Sequence, residues 1–273
     1  CIISGNGSFP IFTSPSSGSR EGKLTLTNLS FQQAGGGVFF RVRGAIIASH
    51  CEFVNNTAPG VGGAVLSEYF PLPMQGTPAN RRFVDCTFQS NKAPKGAGGA
   101  ISINAGRSNG SVPYLYFQSC LFKDNKAPGN LGGARSVTGL GRVQFEQCVF
   151  NGNHAGVSGG GIFSLDSSLY FDRVTFDSNK ALGTTNGGKY SRGIGDAVYG
   201  VLSGTLPNVD FRFCSSSFLG TSGAGRSSVA LQSALNMMAP KFPGLVAFCN
   251  GRRPDKLSLS KIAHWRVENN CTA

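Results

Sequence analysis

The chain has 273 residues, 40% of them hydrophobic, which is the share of a folded protein, and its 39 glycines are about twice the usual roughly 7%, which marks a turn-rich one. Lys and Arg outnumber Asp and Glu by 25 to 13, a formal charge of +12 that attracts acidic polysaccharide, nucleic acid or an anionic membrane without choosing among them. No apolar run approaches the roughly 18 residues of a spanning helix, and Cys1-Ile2-Ile3-Ser4-Gly5 lacks the basic-then-apolar pattern of a leader, so a soluble chain with no transmembrane segment is expected.

From residue 24 onward, apolar residues alternate in short stretches: Leu24 and Leu26, Ile46 and Ala48, Leu115 and Phe117, Val143 and Phe145, Leu169 and Phe171. A period of two is the signature of a strand with one buried face. The alternation slips by one residue before Leu29/Phe31, Cys51/Phe53, Cys120/Phe122, Cys148/Phe150 and Val174/Phe176, which predicts a bend between two short strands. The second strand opens a recurring phrase: Cys51-x-Phe53-x-x-Asn56-x-Ala58, then the same at Cys86, Phe88, Asn91 and Ala93, at Cys120, Phe122, Asn125 and Ala127, and at Cys148, Phe150, Asn153 and Ala155. A fifth copy holds Val174, Phe176, Asn179 and Ala181. Each copy runs into a glycine pair, such as Gly62-Gly63-Ala64, Gly98-Gly99-Ala100 or Gly132-Gly133-Ala134, and a third strand can follow, as in Ile101-Ser102-Ile103 or Ile162-Phe163-Ser164-Leu165. Three strands and three corners per repeat describe one rung of an all-β parallel β-helix, a solenoid.

The motif phenylalanines, with Phe31 as a degenerate copy, fall 22, 35, 34, 28 and 26 residues apart. The shorter steps suit one rung each. The longer ones carry polar inserts, 67–81 and 104–113, which should bulge from a corner. A degenerate rung holds Phe211, Phe213, Ser216 and Phe218, with Thr221 at the Asn position. About seven rungs at the roughly 4.8 Å strand spacing would make a rod about 30 Å long. The reading is one β-helix with an N-terminal cap, 1–226, and a C-terminal cap or docking segment, 227–273, where Leu231, Leu235, Met237 and Met238 sit in a helix-compatible stretch.

Coiling stacks equivalent positions, so Phe53, Phe88, Phe122, Phe150 and Phe176 should form an internal aromatic ladder. Asn56, Asn91, Asn125, Asn153 and Asn179 should form a ladder of amides along the axis, and losing one would cost about 1–3 kcal/mol. Cys51, Cys86, Cys120 and Cys148 share an inward position. Side by side on parallel strands they read as stacked free thiols, with bridges between adjacent rungs or a metal ladder as alternatives. Cys249 and Cys271 lie outside the motifs and could pair in a C-terminal cap. The sequons beginning at Asn6, Asn28, Asn55, Asn109 and Asn270 permit N-glycosylation.

The phrase F-x-x-N-x-A followed by G-G-A-[ILV] resembles the repeats of polymorphic outer membrane proteins, best known as chlamydial surface adhesins, with similar repeats in surface proteins of algae and protists. The resemblance covers residues 24–200. It implies a right-handed parallel β-helix at the cell surface or outside the cell, with a role in adhesion. Departures are Gly159-Gly160-Gly161-Ile162, and Gly187-Gly188 followed by Lys189-Tyr190-Ser191-Arg192. Residues 228–273 are also too short for that family's C-terminal membrane barrel.

Parallel β-helices also carry enzymes acting on acidic polysaccharide. Such enzymes cluster aspartates, whereas Asp85, Asp124, Asp166, Asp172, Asp177, Asp196, Asp210 and Asp255 are scattered and His50, His154 and His264 are isolated. No catalytic residue, cofactor or metal is expected. The candidate site is instead the position after each repeated Asn, Thr57, Lys92, Lys126, His154 and Lys180, which coiling should align into a basic stripe assisted by Lys95, Lys123 and Arg135. The alternative is a solvated face that keeps sheet edges apart. Partners would be surface glycans or a protein receptor, with self-assembly into a fibre or wall as the structural alternative. Nucleic acid is not expected, since no exposed aromatic platform interleaves with the charge and most aromatics fall at inward positions.

Overall fold

The computed structural model describes residues 1–7, 23–39, 45–68, 81–104, 114–183, 195–202, 209–220, 228–233, 244–249, 254, 257–259 and 265–268. Among them there is no helix, and the strands pair in parallel. They coil as three long stacks, with a short fourth of Lys126–Ala127, His154–Ala155 and Lys180–Ala181.

The first stack runs through Lys23–Thr27, Ala45–Ser49, Arg81–Val84, Tyr114–Gln118, the second halves of Arg135–Glu146 and Ile162–Asp172, then Asp210–Cys214, Gly244–Cys249 and Trp265–Glu268. The second holds eight strands, Ile2–Ser4, Ser30–Gln32, Glu52–Val54, Thr87–Gln89, Leu121–Lys123, Val149–Asn151, Thr175–Asp177 and Ser217–Leu219. The third runs from Val38–Phe39 through Val65–Glu68, Ile101–Asn104 and the first halves of the two long strands to Val198–Leu202, Val229–Ser233 and Leu257–Leu259. Arg135–Glu146 and Ile162–Asp172 pass from the third stack into the first without a break, because the rungs they close are the short ones without an insert. Of the predicted inserts, 67–81 and 104–113, the structure places Ser67, Glu68, Arg81 and Asn104 in strands, and 69–80 and 105–113 lie outside the described residues.

Each of the five predicted slips is a corner made by one residue in the left-handed region, Asn28, His50, Ser119, Gln147 and Arg173, and Asp85 and Ser215 make the same corner in two further rungs, all with φ between 48 and 54°. A second set of left-handed residues, including Asn55, Ser90, Asp124 and Ser178, immediately precedes the ladder asparagines. The glycine pair makes the third corner, and its two members are needed for different reasons. Gly98 has φ +74°, where a side chain would be strained, whereas a Cβ on Gly99 would lie 2.1 Å from the carbonyl oxygen of Gly133 in the next rung.

The core is two interlocked aromatic ladders. Phe31, Phe53, Phe88, Phe122, Phe150, Phe176 and Phe218 stack at centroid separations of 4.5–5.3 Å. The inward residues of the first stack, Phe83, Phe117, Phe145, Phe171, Phe213 and Phe248, stack beside them at 4.7–5.2 Å. Edge-to-face contacts such as Phe117 on Phe122, at 5.6 Å and 65°, tie one ladder to the other. Phe218 continues the stack in the degenerate rung; Thr221 lies outside the described residues.

The C-terminal segment departs from its helix-compatible reading. Leu231 lies in Val229–Ser233, which pairs in parallel with Val198–Leu202, and Gly244–Cys249 extends the first stack. Val229 and Leu231, like Val246 and Phe248, are buried in the phase of the strands beneath them, and that burial holds the segment extended. Leu235, Met237 and Met238 lie outside the described residues.

Candidate functional site

The asparagine ladder positions the candidate stripe. From Asn91 to Asn179 each amide oxygen accepts two bonds from the preceding ladder residue: Asn125 Oδ1 takes the backbone N–H and the Nδ2 of Asn91, both at 3.0 Å. From Asn56 to Asn153 each Nδ2 donates to the next amide oxygen and to a phenylalanine carbonyl, as Asn125 does to Asn153 at 3.0 Å and to Phe88 at 2.9 Å, and Asn179 donates to Phe150 alone among the described residues, at 2.8 Å. All five asparagines are buried. With this corner fixed, the following residue must point outward.

Strand register confirms that Thr57, Lys92, Lys126, His154 and Lys180 lie above one another. The column therefore carries one residue per ~4.8 Å of axis. Lys92 and Lys126 are exposed; Thr57, His154 and Lys180 are half-buried. Burial and then the charges of Lys126 and Lys180 push the His154 pKa below its usual value, with Asp124 opposing. Lys95 and Lys123 are exposed but sit outside this column, three residues beyond Lys92 and at the end of Leu121–Lys123.

Arg135 does not belong to the surface. It is fully buried in the third stack, in register between Ile101 and Ile162, because it stands where the Gly-Gly-Ala phrase places its inward aliphatic residue. Its guanidinium reaches the rings of Phe117, at 4.4 Å, and Phe145, at 4.9 Å, and its nitrogens have no hydrogen-bond partner among the described residues. Burial pulls it well below its usual pKa, with the thiols of Cys148 and Cys120 opposing. Removing an uncompensated buried charge should help the fold, and Arg135→Met is expected to raise unfolding free energy by about 1–4 kcal/mol. Chemical denaturation would show it. A melting curve shifted downward would mean that the aromatic contacts outweigh the desolvation.

Cys51, Cys86, Cys120 and Cys148 are free and buried, as the thiol reading expects. Each donates to the carbonyl two residues back, Cys86 to Val84 at 3.2 Å and Cys51, Cys120 and Cys148 to Ser49, Gln118 and Glu146 at 3.3 Å. Burial, followed by the neighbouring Cys148 and Cys86, holds the Cys120 thiol well above its usual pKa. Cys249 is disulfide-bonded; Cys271 lies outside the described residues. Asn6, Asn28 and Asn55 are exposed, and Asn109 and Asn270 lie outside the described residues. His50 faces Asp85 at 3.7 Å on the surface. The described residues contain no group of three or more His, Cys, Asp or Glu able to hold a metal ion.

The aromatic expectation needs correction. Tyr114, Tyr116 and Tyr170 occupy the outward positions of the same alternation that buries Leu115, Phe117, Leu169 and Phe171, and they interleave with Arg82, Arg142 and Arg212. Contiguity of these residues exists only across rungs, so a scan along the chain misses it.

Two segments, residues 85–104 and 147–165, match the model of the Chlamydia polymorphic membrane protein repeat. Each runs from the corner before a motif cysteine through the ladder asparagine and the glycine pair into the third strand. No curated protein and no solved structure matches the chain.

Proposed function

We propose that this chain is a non-catalytic β-helix module of the cell surface or extracellular space that serves adhesion by binding acidic glycans along its basic stripe. The repeat match suggests a surface protein of adhesin type. The observation that carries the glycan reading is the register of Lys92, Lys126, His154 and Lys180, which sets three lysines and a titratable histidine on a rigid line at strand spacing. A flexible polyanion can follow such a line with little ordering of the protein.

The test is heparin binding by the intact chain. Lys92→Glu with Lys126→Glu is expected to weaken binding about tenfold or more at low salt and to flatten its salt dependence. Unchanged affinity and slope would reduce the stripe to a solvated face.

Acidification should act in the opposite direction. His154 is depressed below 6.5, so it is neutral at pH 7 and gains its charge only below that value. A bound polyanion raises its pKa and binding takes up a proton, so affinity should rise as pH falls through this range. Stability has the reverse sign: the unfolded chain, with the ordinary pKa, protonates first, and this term weakens the fold on acidification.

A further inference from the structure

We propose that the outer face of the first stack is a second binding surface, fitted to a linear polysaccharide with an anionic group on alternate sugars. This rests on the glycan-binding reading above but uses a different face and a different charge spacing.

Five successive strands contribute one outward column, Arg82, Tyr116, Gln144, Tyr170 and Arg212. Two residues upstream, Tyr114, Arg142 and Ser168 form a second. The arginines are laid over the rings: Arg82 lies 5.3 Å from the Tyr116 centroid, and Arg142 and Arg212 lie 4.1 and 5.5 Å from that of Tyr170. A guanidinium held over a ring loses little freedom on binding and keeps its N–H edge for a bidentate anion.

The rings are fixed in turn. Tyr114 donates to Gln144 Oε1 at 2.6 Å, Tyr116 to Glu146 and Tyr170 to Asp210 at 3.2 Å. Three carboxylates on this face are engaged: Glu146 and Asp172 by Arg173 at 2.8 and 2.9 Å, and Asp210 by Arg212 at 3.4 Å. Arg82 donates to Gln118 at 3.1 Å. Arg142 is exposed and has no hydrogen-bond or ion-pair partner among the described residues. Gln144 accepts from Tyr114 through its oxygen, which leaves its NH₂ to donate to a sugar hydroxyl.

Spacing selects the ligand class. Arg82, Arg142 and Arg212 stand on every second strand, so guanidinium groups recur at ~10 Å along the axis, the last of them shared with Asp210. That is the length of a disaccharide in an extended chain. Duplex phosphates recur about every 3.4 Å along each strand, far more densely. Single-stranded bases also need open ring faces to stack on, and guanidinium groups already lie over the rings of Tyr116, one, and Tyr170, two.

The experiment titrates the whole chain with hyaluronate octasaccharide, whose carboxylates fall on alternate sugars, beside heparin and poly(dT). Arg82→Ala with Arg142→Ala is expected to lose about tenfold or more in hyaluronate affinity with melting temperature unchanged. Arg142→Lys, which keeps the charge but not the fork, should lose most of what Arg142→Ala loses. Lys92→Glu with Lys126→Glu should leave hyaluronate binding within about twofold of the unaltered chain. Hyaluronate binding unaffected by the arginine changes, absent from the unaltered chain, or weaker than poly(dT) binding overturns the proposal. If heparin binding through the lysine stripe persists in that case, the adhesive reading stands without this face. If neither glycan binds, both fall.

Discussion

Asn125→Ala is expected to lower unfolding free energy by about 4 kcal/mol and the melting temperature by roughly 10 °C. The substitution removes a small, fully buried side chain, so lost apolar contact contributes little. The cost comes from what is stranded. The backbone N–H of Asn91 and one hydrogen of its Nδ2 lose their acceptor, and the Phe88 carbonyl loses its donor. Each such group costs about 1–3 kcal/mol when buried without a partner. Asn153 Oδ1 is less affected, because the backbone N–H of residue 125 still reaches it at 3.0 Å. The 1–3 kcal/mol expected from sequence counted one amide; the structure shows that each amide serves a corner on two rungs. Thermal and denaturant melts of the variant would check this. A melting temperature within about 2 °C of the unaltered chain would mean that water replaces the amide, and that the ladder orders the corner without holding it together.

The parts of the fold that repeat were legible, and the reason is physical. A coil brings equivalent residues into contact, so a requirement at one rung is imposed on every rung. Phe88, Phe122 and Phe150 are alike because each is the other's neighbour, and Gly63, Gly99 and Gly133 because each faces the next rung's backbone. The slip before Cys51 and Cys120 was visible because one left-handed residue reverses the inward phase. Arg135 was misplaced for want of the same logic. Its column reads Val65, Ile101, Arg135, Ile162 and Val198, so register would have put it inside, but lysine and arginine invite a surface reading. The outward tyrosines were hidden for the converse reason. An outer column is free to vary from rung to rung, and nothing in the chain's period marks Tyr116 and Tyr170 as neighbours of Gln144. The lysine stripe was found because it is tied to the asparagine before it.

Phe122→Ala is expected to cost about 4 kcal/mol, and more than the same change at Phe31. Phe122 lies between Phe88, at 4.9 Å and 6°, and Phe150, at 4.5 Å and 2°, and its faces are covered by both. The rings of Phe117 and Phe145 close the side at 5.6 and 6.5 Å. Truncation therefore opens a void walled by four rings, each held by its own strand pairing, so the walls cannot collapse into it. The backbone is equally constrained, since the Phe122 carbonyl accepts from Asn153 Nδ2 at 2.9 Å. Phe31 is near the N-terminal end, where the next strand of the same stack is Ile2–Ser4 with Ile2 exposed. Loss there can be met by fraying of one layer. In a solenoid each rung is stabilised by its neighbours, so an interior gap weakens two interfaces while a terminal one weakens the end alone. Amide hydrogen exchange distinguishes these cases. Phe122→Ala should lower protection in Thr87–Gln89, Leu121–Lys123 and Val149–Asn151 together, and Phe31→Ala only near its own layer. Equal losses at both sites, or loss confined to Leu121–Lys123, would show that the rings pack rung by rung and that the ladder transmits nothing along the axis.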